Sequence, residues 1–274
     1  MKDAKTIVLC ADDFGLNAGV SQGILKLASM NRLSAVSCMV NMPDFAAYAS
    51  ELIALKSKVQ VGLHFNLTEG NFLSAPDTPC FSLNELLIKT HLAAIRLVFI
   101  AQEFKQQLAY FIQLTGCLPD FIDGHQHIHQ FPRIRKVILD LYEQQLRDYR
   151  TFIRSTYPTV NNTFRYYLKT KILALTGGRA LGSALATENI PHNTGFAGIY
   201  DFSPQADYRA LFRSWLHLAS DNTLIMCHPG EACAGLDVIA PTRLIEFNYF
   251  LSEDFIIDCQ EHNIHIADAS MCYT

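Results

Sequence analysis

Short apolar, β-branched runs alternate along the chain with longer stretches whose apolar residues recur every three or four positions. The short runs predict strands over residues 6–11, 35–40, 59–65, 121–122, 151–153, 223–227 and 264–267. The longer stretches predict helices. One covers residues 20–30, with an apolar face at Val20, Ile24, Leu27 and Ala28; others follow over 43–55, 83–114, 132–146, 204–219 and 252–261. Proline opens three of them, in the first turn, where its missing N–H has no helical partner to lose. Regular alternation of strand and helix implies an α/β fold with a mostly parallel sheet, either doubly wound or closed as a (β/α) barrel. The turn after the first strand reads Asp12-Asp13-Phe14-Gly15, not a glycine-rich phosphate loop, which removes most support for a dinucleotide-binding fold. Residues 155–201 are the least regular. They hold Asn161-Asn162, Gly177-Gly178 and a helical pattern near 164–175, and read as a lid, an oligomer contact or a surface insertion.

With 274 residues, half of them hydrophobic and 18% charged, the chain is globular, and a single domain over residues 1–274 is expected. Its net charge of −4 comes from well-mixed charges without a Lys/Arg run, so nucleic acid is not an expected partner. The opening apolar run is too short for a signal segment. Residues 86–104 are interrupted by Lys89, His91, Arg96 and Glu103, so no membrane span is expected and the location reads as cytoplasmic. Eight cysteines without a CxxC pair read as buried, reduced thiols.

The polar residues gather at strand ends. Asp12 and Asp13 close the first strand, His64 the third, Asp123 and His125 follow the fourth, Arg154 the fifth, and His228 ends the 223–227 strand. In parallel α/β folds these carboxyl ends converge on one rim, where sites are built. The run Asp123-Gly124-His125-Gln126-His127-Ile128-His129 is a candidate metal segment. Its three histidines would share a face of an extended strand, and His125 and His129 a face of a helix. Either Asp12 and Asp13 are both ligands, or alternation on the strand splits them between metal and water, or one caps the next helix. Asn17 reads as that helix's N-cap. His228 is either a satisfied core histidine or a general acid.

Together these segments resemble the YdjC-like carbohydrate deacetylase family, which includes chitooligosaccharide deacetylases. The similarity runs through Ala11-Asp12-Asp13-Phe14-Gly15-Leu16, Gly62-Leu63-His64-Phe65-Asn66-Leu67-Thr68, residues 123–132 and Met226-Cys227-His228-Pro229. Gly124 and Gln126 depart from some members. The resemblance implies a distorted (β/α) barrel binding one divalent ion, Mg²⁺ or Zn²⁺, through Asp13, His64 and His125, with Asp12 as base and His228 as acid. It implies a small carbohydrate substrate and matches Arg154 to an arginine that follows a middle strand in the family. Arg154 and His127 are the substrate-side candidates, the roles of His127 and His129 stay open, and a homodimer is a further expectation. Residues 155–191 match no family pattern, and substrate choice is expected to depend on them. The rival readings are another metal hydrolase on a barrel and a sugar-binding protein without turnover.

Overall fold

The computed structural model describes residues 4–149, 151–157, 160, 164–231 and 237–269; Asn161, Asn162, Cys233 and Cys272 lie outside them. Strands and helices follow one another as the apolar periodicity predicts. The strands are β1 (Lys5–Phe14), β2 (Ala35–Cys38), β3 (Gln60–Phe65), β4 (Phe121–Gly124), β5 (Phe152–Ile153), β6 (Gly195–Ala197), β7 (Thr223–Cys227) and β8 (Ile264–Ile266). Every pairing among these strands is parallel, in the order β5-β4-β3-β2-β1-β7-β6, with β8 against the start of β1. The sheet curls into a distorted barrel in a single α/β domain. Its edge strands β5 and β6 do not pair. The Asn193 side chain stitches the seam instead, accepting from Ser155 N and donating to the carbonyls of Ser155 and Gly195.

Alternation along each strand makes two apolar layers. Ile7, Leu9 and Ala11 pack outward against the helices, whereas Val8 and Cys10 face the barrel interior with Phe121, Phe152, Phe196 and Leu224. The interior is therefore a packed core, with Phe121 and Phe152 stacked at 4.9 Å. Asp12 continues the inward series of Val8 and Cys10, and so stands at the top of this plug.

The helices are α1 (Ala18–Ser29), α2 (Pro43–Ala54), α3 (Leu83–His91), α4 (Leu97–Thr115), α5 (Pro132–Gln145), α6 (Phe164–Leu173), α7 (Arg179–Thr187), α8 (Tyr208–Leu218), α9 (Ala240–Leu251) and α10 (Glu253–Glu261). Asn17 caps α1 as expected, accepting from Val20 N at 2.9 Å. The helix expected over 83–114 is two helices, broken where Ala93 takes a φ of 55°. A continuous helix of that length would run about 48 Å, longer than a domain face, so the chain turns back on the core. Residues 155–201 are more regular than expected. They carry α6, a π-helical turn (Ala174–Gly178), α7 and β6. The π turn sits on the histidine segment: a Cβ at Gly177, whose φ is 144°, would lie 2.0 Å from the Gln130 carbonyl oxygen. β6 and α9 are additions to the expected elements, and the 204–219 helix starts later, at Tyr208, capped by Asp207.

Among the described residues no helix is long and apolar enough to cross a membrane. The described cysteines are free thiols; Cys10, Cys38, Cys227 and Cys259 are buried, and Cys80 and Cys117 are half-buried.

Candidate metal centre and reaction cavity

The Asp12-Asp13 pair does not follow simple strand alternation. Ala11 pairs with Val36 and Phe14 with Cys38, so β1 carries one extra residue there, a bulge. Asp13 takes a φ of 70°, in the left-handed region. The bulge turns Asp13 inward beside Asp12, and both carboxylates line the same cavity. Gly15 follows with a φ of 94°, its missing Cβ only 2.7 Å from that of Phe45. Only glycine fits this return to the helix-facing layer.

Asp13 Oδ1 lies 3.4 Å from His64 Nε2 and 3.0 Å from His125 Nδ1. The three donor atoms lie within 4.8 Å of one another, close enough to be a candidate ligand set. Ligand atoms about 2.1 Å from a shared ion stand about 3.0 Å apart at a right angle and about 3.4 Å apart at the tetrahedral angle, so the separations of Asp13 from the two histidines match those of ligands to one ion.

A second layer fixes the donors. His64 Nδ1 meets Asp123 Oδ1 at 2.6 Å, and Ser37 Oγ donates to the same oxygen at 2.6 Å. That contact holds the Nδ1 proton and points Nε2 at Asp13. Burial works against protonating His64, but Asp123, Asp12 and the contact with Asp13 outweigh it and raise its pKa to about 10. The same negative potential favours any cation here. Burial also opposes ionising Asp13, yet Arg243 and His125 overcome it and hold the carboxyl well below its usual range.

The expected strand or helix through the histidine run is replaced by a tight 3-10 turn (His125–Gln130), in which Gln126 and His127 take φ values of 52° and 60°. Its three histidines therefore point three ways. His125 reaches Asp13. His127 lines the cavity edge-on to Phe196, with burial pushing its pKa down. His129 is buried beneath the turn, where Nε2 contacts the Arg154 carbonyl at 3.1 Å.

Arg154, which the family resemblance set on the substrate side, is instead fully buried and does not line the cavity. Its guanidinium grips Asp12 through two bonds of 2.7 and 2.6 Å and reaches Asp123 at 2.6 Å. Asp12 of β1 and Asp123 of β4 both reach this guanidinium, and a planar fork is the side chain that can span two carboxylates.

His228 completes the floor, its Nε2 4.0 Å from Asp12 Oδ2 and its ring edge-on to Phe202. Burial lowers its pKa to about 4 against the pull of Asp13 and Asp12. Its backbone N–H is held by Glu246, a buried carboxylate that also accepts from Tyr200 and whose pKa burial raises to about 7. Above this floor opens a cavity of about 850 Å³.

The family model for YdjC-like proteins matches residues 6–261. The chain belongs to the YdjC-like family. It is 31% identical over 147 residues to the chitooligosaccharide deacetylase of Proteus mirabilis, covering 52% of this chain and 57% of that protein. It is 27% identical over 278 residues to the carbohydrate deacetylase of Vibrio vulnificus, covering 96% and 95%. The chain spans about half the length of the first curated relatives it matches. A solved structure of a proposed cellobiose-phosphate cleavage protein from Enterococcus faecalis V583 shares the fold, with a TM-score of 0.72 at 18% identity, over 99% of this chain and 100% of that one.

Within this YdjC-like chain the structure gathers Asp12, Asp13, His64, His125, His127 and His228 at one cavity and sets Arg154 beneath it. Sequence reasoning missed Ser37 and Arg243. Ser37 was visible as the lone polar residue in an apolar strand. Arg243 gave no signal: it comes from α9, donates to Asp13 Oδ2 at 2.8 Å and to Asp237 at 2.6 Å, and so leaves Asp13 one oxygen for an ion.

Proposed function

We propose that this protein is a divalent-metal-dependent hydrolase that removes the acetyl group from an N-acetylated amino sugar, releasing acetate. The observation that carries this is the convergence of Asp13, His64 and His125 beside Asp12 and His228 at the floor of one cavity. The names of the relatives, chitooligosaccharide and carbohydrate deacetylases, support the sugar substrate.

Two imidazoles and one carboxylate suit zinc or a similar transition ion better than magnesium, which prefers an all-oxygen shell. Bound there, such an ion would polarise the acetyl oxygen and acidify an attacking water. Asp12 takes the proton from that water, and Arg154 holds its carboxylate in place. His228 hands a proton to the departing nitrogen, because an amine does not leave as an anion. With a pKa near 4 the His228 ring is neutral at pH 7, so it must gain its proton during turnover. Asp12, 4.0 Å from its Nε2, is the nearest source. His127 flanks the site from the cavity wall and contacts the sugar.

The test is metal content and acetate release measured on Asp12→Asn and Asp13→Asn. Asp12→Asn should keep its ion and lose roughly 10² to 10⁴ of turnover, as removal of a general base does. Asp13→Asn should lose ion affinity and regain part of its activity at high ion concentration. A metal-free Asp12→Asn beside a metal-replete, inactive Asp13→Asn would reverse the roles, and activity intact in both would end the mechanism.

A further inference from the structure

Glu246 of α9 is fully buried, and no step of the proposed reaction uses it. A carboxyl group in a dry interior costs stability that an apolar side chain of similar volume would not. Its two oxygens are both engaged at the floor of the cavity. One accepts from the His228 backbone N–H at 2.6 Å, the other from the Tyr200 hydroxyl. Neighbours on the same helix hold the rest of that floor. Thr242 donates to the Phe202 carbonyl at 2.7 Å, and Arg243 donates to Asp13 at 2.8 Å. α9 therefore ties the end of β7 to β1 and to the segment after β6. His228 needs such a hold. Its Nδ1 is buried without a hydrogen-bond partner among the described residues, and its Nε2 stands 4.0 Å from Asp12 Oδ2, too far for a hydrogen bond. In working histidines a bond to the second ring nitrogen commonly fixes the ring. Here no such bond does so. The ring is set by where its main chain is held and by Phe202, packed edge-on at 5.0 Å.

We infer that Glu246 is the positioning residue of the acid: by gripping the main chain of His228, and Tyr200 beside it, it aims an imidazole that no ring hydrogen bond orients. The inference rests on the deacetylase reading and adds to it a residue that touches neither substrate nor ion. Proton transfer to a departing nitrogen demands hydrogen-bond reach and alignment, so a ring free to shift would spoil that step more than any other. A carboxylate suits the task because it accepts from two donors at once, one on each oxygen. Leucine would accept from neither, and glutamine has one oxygen to offer.

The experiment compares two substrates on zinc-loaded protein: N,N′-diacetylchitobiose, whose amine needs a proton to leave, and p-nitrophenyl acetate, whose phenolate does not. Glu246→Leu takes the acceptor from both donors and should lower kcat for the amide about tenfold more than for the ester, as displacement of an acid does. Glu246→Gln keeps one oxygen and should fall between, at about threefold, and it carries the same test should the leucine variant not fold. Because Glu246 acts through His228, adding Glu246→Leu to His228→Ala should leave the amide-to-ester ratio of His228→Ala where it was. The His228 amide proton, held by a carboxylate at 2.6 Å, should lie far downfield in proton–nitrogen correlation spectra and move upfield in Glu246→Leu. Equal losses on amide and ester, losses that multiply in the double variant, or an unmoved His228 amide proton would each overturn the inference and leave deacetylation standing. Wild-type protein that cleaves the ester and releases no acetate from the sugar would instead end the deacetylase reading, and the positioning role with it.

Discussion

Replacing Arg154 by methionine tests how the reactive end of the barrel is held together. Arg154 and its partners Asp12 and Asp123 are at most 2% exposed, and three contacts of 2.6–2.7 Å join them. Methionine fills similar volume but leaves two carboxylates in a dry interior without their counter-charge. Removing one partner of a buried ion pair costs about 3–5 kcal/mol, because the remaining charge is neither paired nor hydrated. For a domain of this size that corresponds to a melting point lowered by roughly 5–15 °C. Urea unfolding of Arg154→Met, Asp12→Asn and the double variant measures both the cost and the coupling, which should reach about 2 kcal/mol for groups in such contact. Arg154→Lys should fall between, since one ammonium cannot fork between two carboxylates. Turnover should fall as well, by on the order of 10²-fold if Asp12 shifts by about 1 Å. A loss below about 1 kcal/mol in Arg154→Met, or a coupling near zero, would refute the account of Arg154 as the clamp on Asp12.

Three further outcomes follow from the same geometry. Stripped of divalent ions by a chelator, the protein should lose activity and recover it on re-addition; His64→Ala and His125→Ala should each lower bound metal, and His129→Ala much less, so equal losses by metal analysis would mean the histidine turn is misassigned. Gly15→Ala should destabilise by about 2–4 kcal/mol in urea unfolding, from a left-handed alanine and its clash with Phe45, and no change would mean the tight return after β1 is not as described. Burial holds His129 neutral, with a pKa of about 4 against about 6.5 in the unfolded chain, so between those values the unfolded state binds more protons and stability rises with pH. The wild type should thus lose stability on acidification from pH 6.5 to 4, by up to about 3 kcal/mol from this group, and His129→Gln should lose less over the same range.

Much of the rim was legible because strand periodicity and strand ends are local properties. A run such as residues 6–11 must be extended and buried, and the residues that close such runs, Asp12, Asp13, His64 and His228, must come to the same edge of a parallel sheet. The parallel sheet itself followed from alternation alone. What local pattern could not state is how the chain departs from regular geometry. Nothing in Asp12-Asp13 announces the bulge that points both carboxylates into one cavity, because its cause is the register of β1 against β2. The histidine run has the spacing of a strand face, yet the turn under it is set by packing against the π turn at Gly177, more than forty residues later. Arg154 reads in sequence as one more polar residue of the rim, on the substrate side, and only the tertiary structure shows that Asp12 and Asp123 enclose it. Arg243 reaches Asp13 from a helix 230 residues further along, a contact across the fold that no sequence window contains. The sequence determined which residues would stand at the rim, since side-chain alternation is written residue by residue. The tertiary structure decided which of them face the cavity and which hold the others, since that depends on charges and backbones brought together only when the barrel closes.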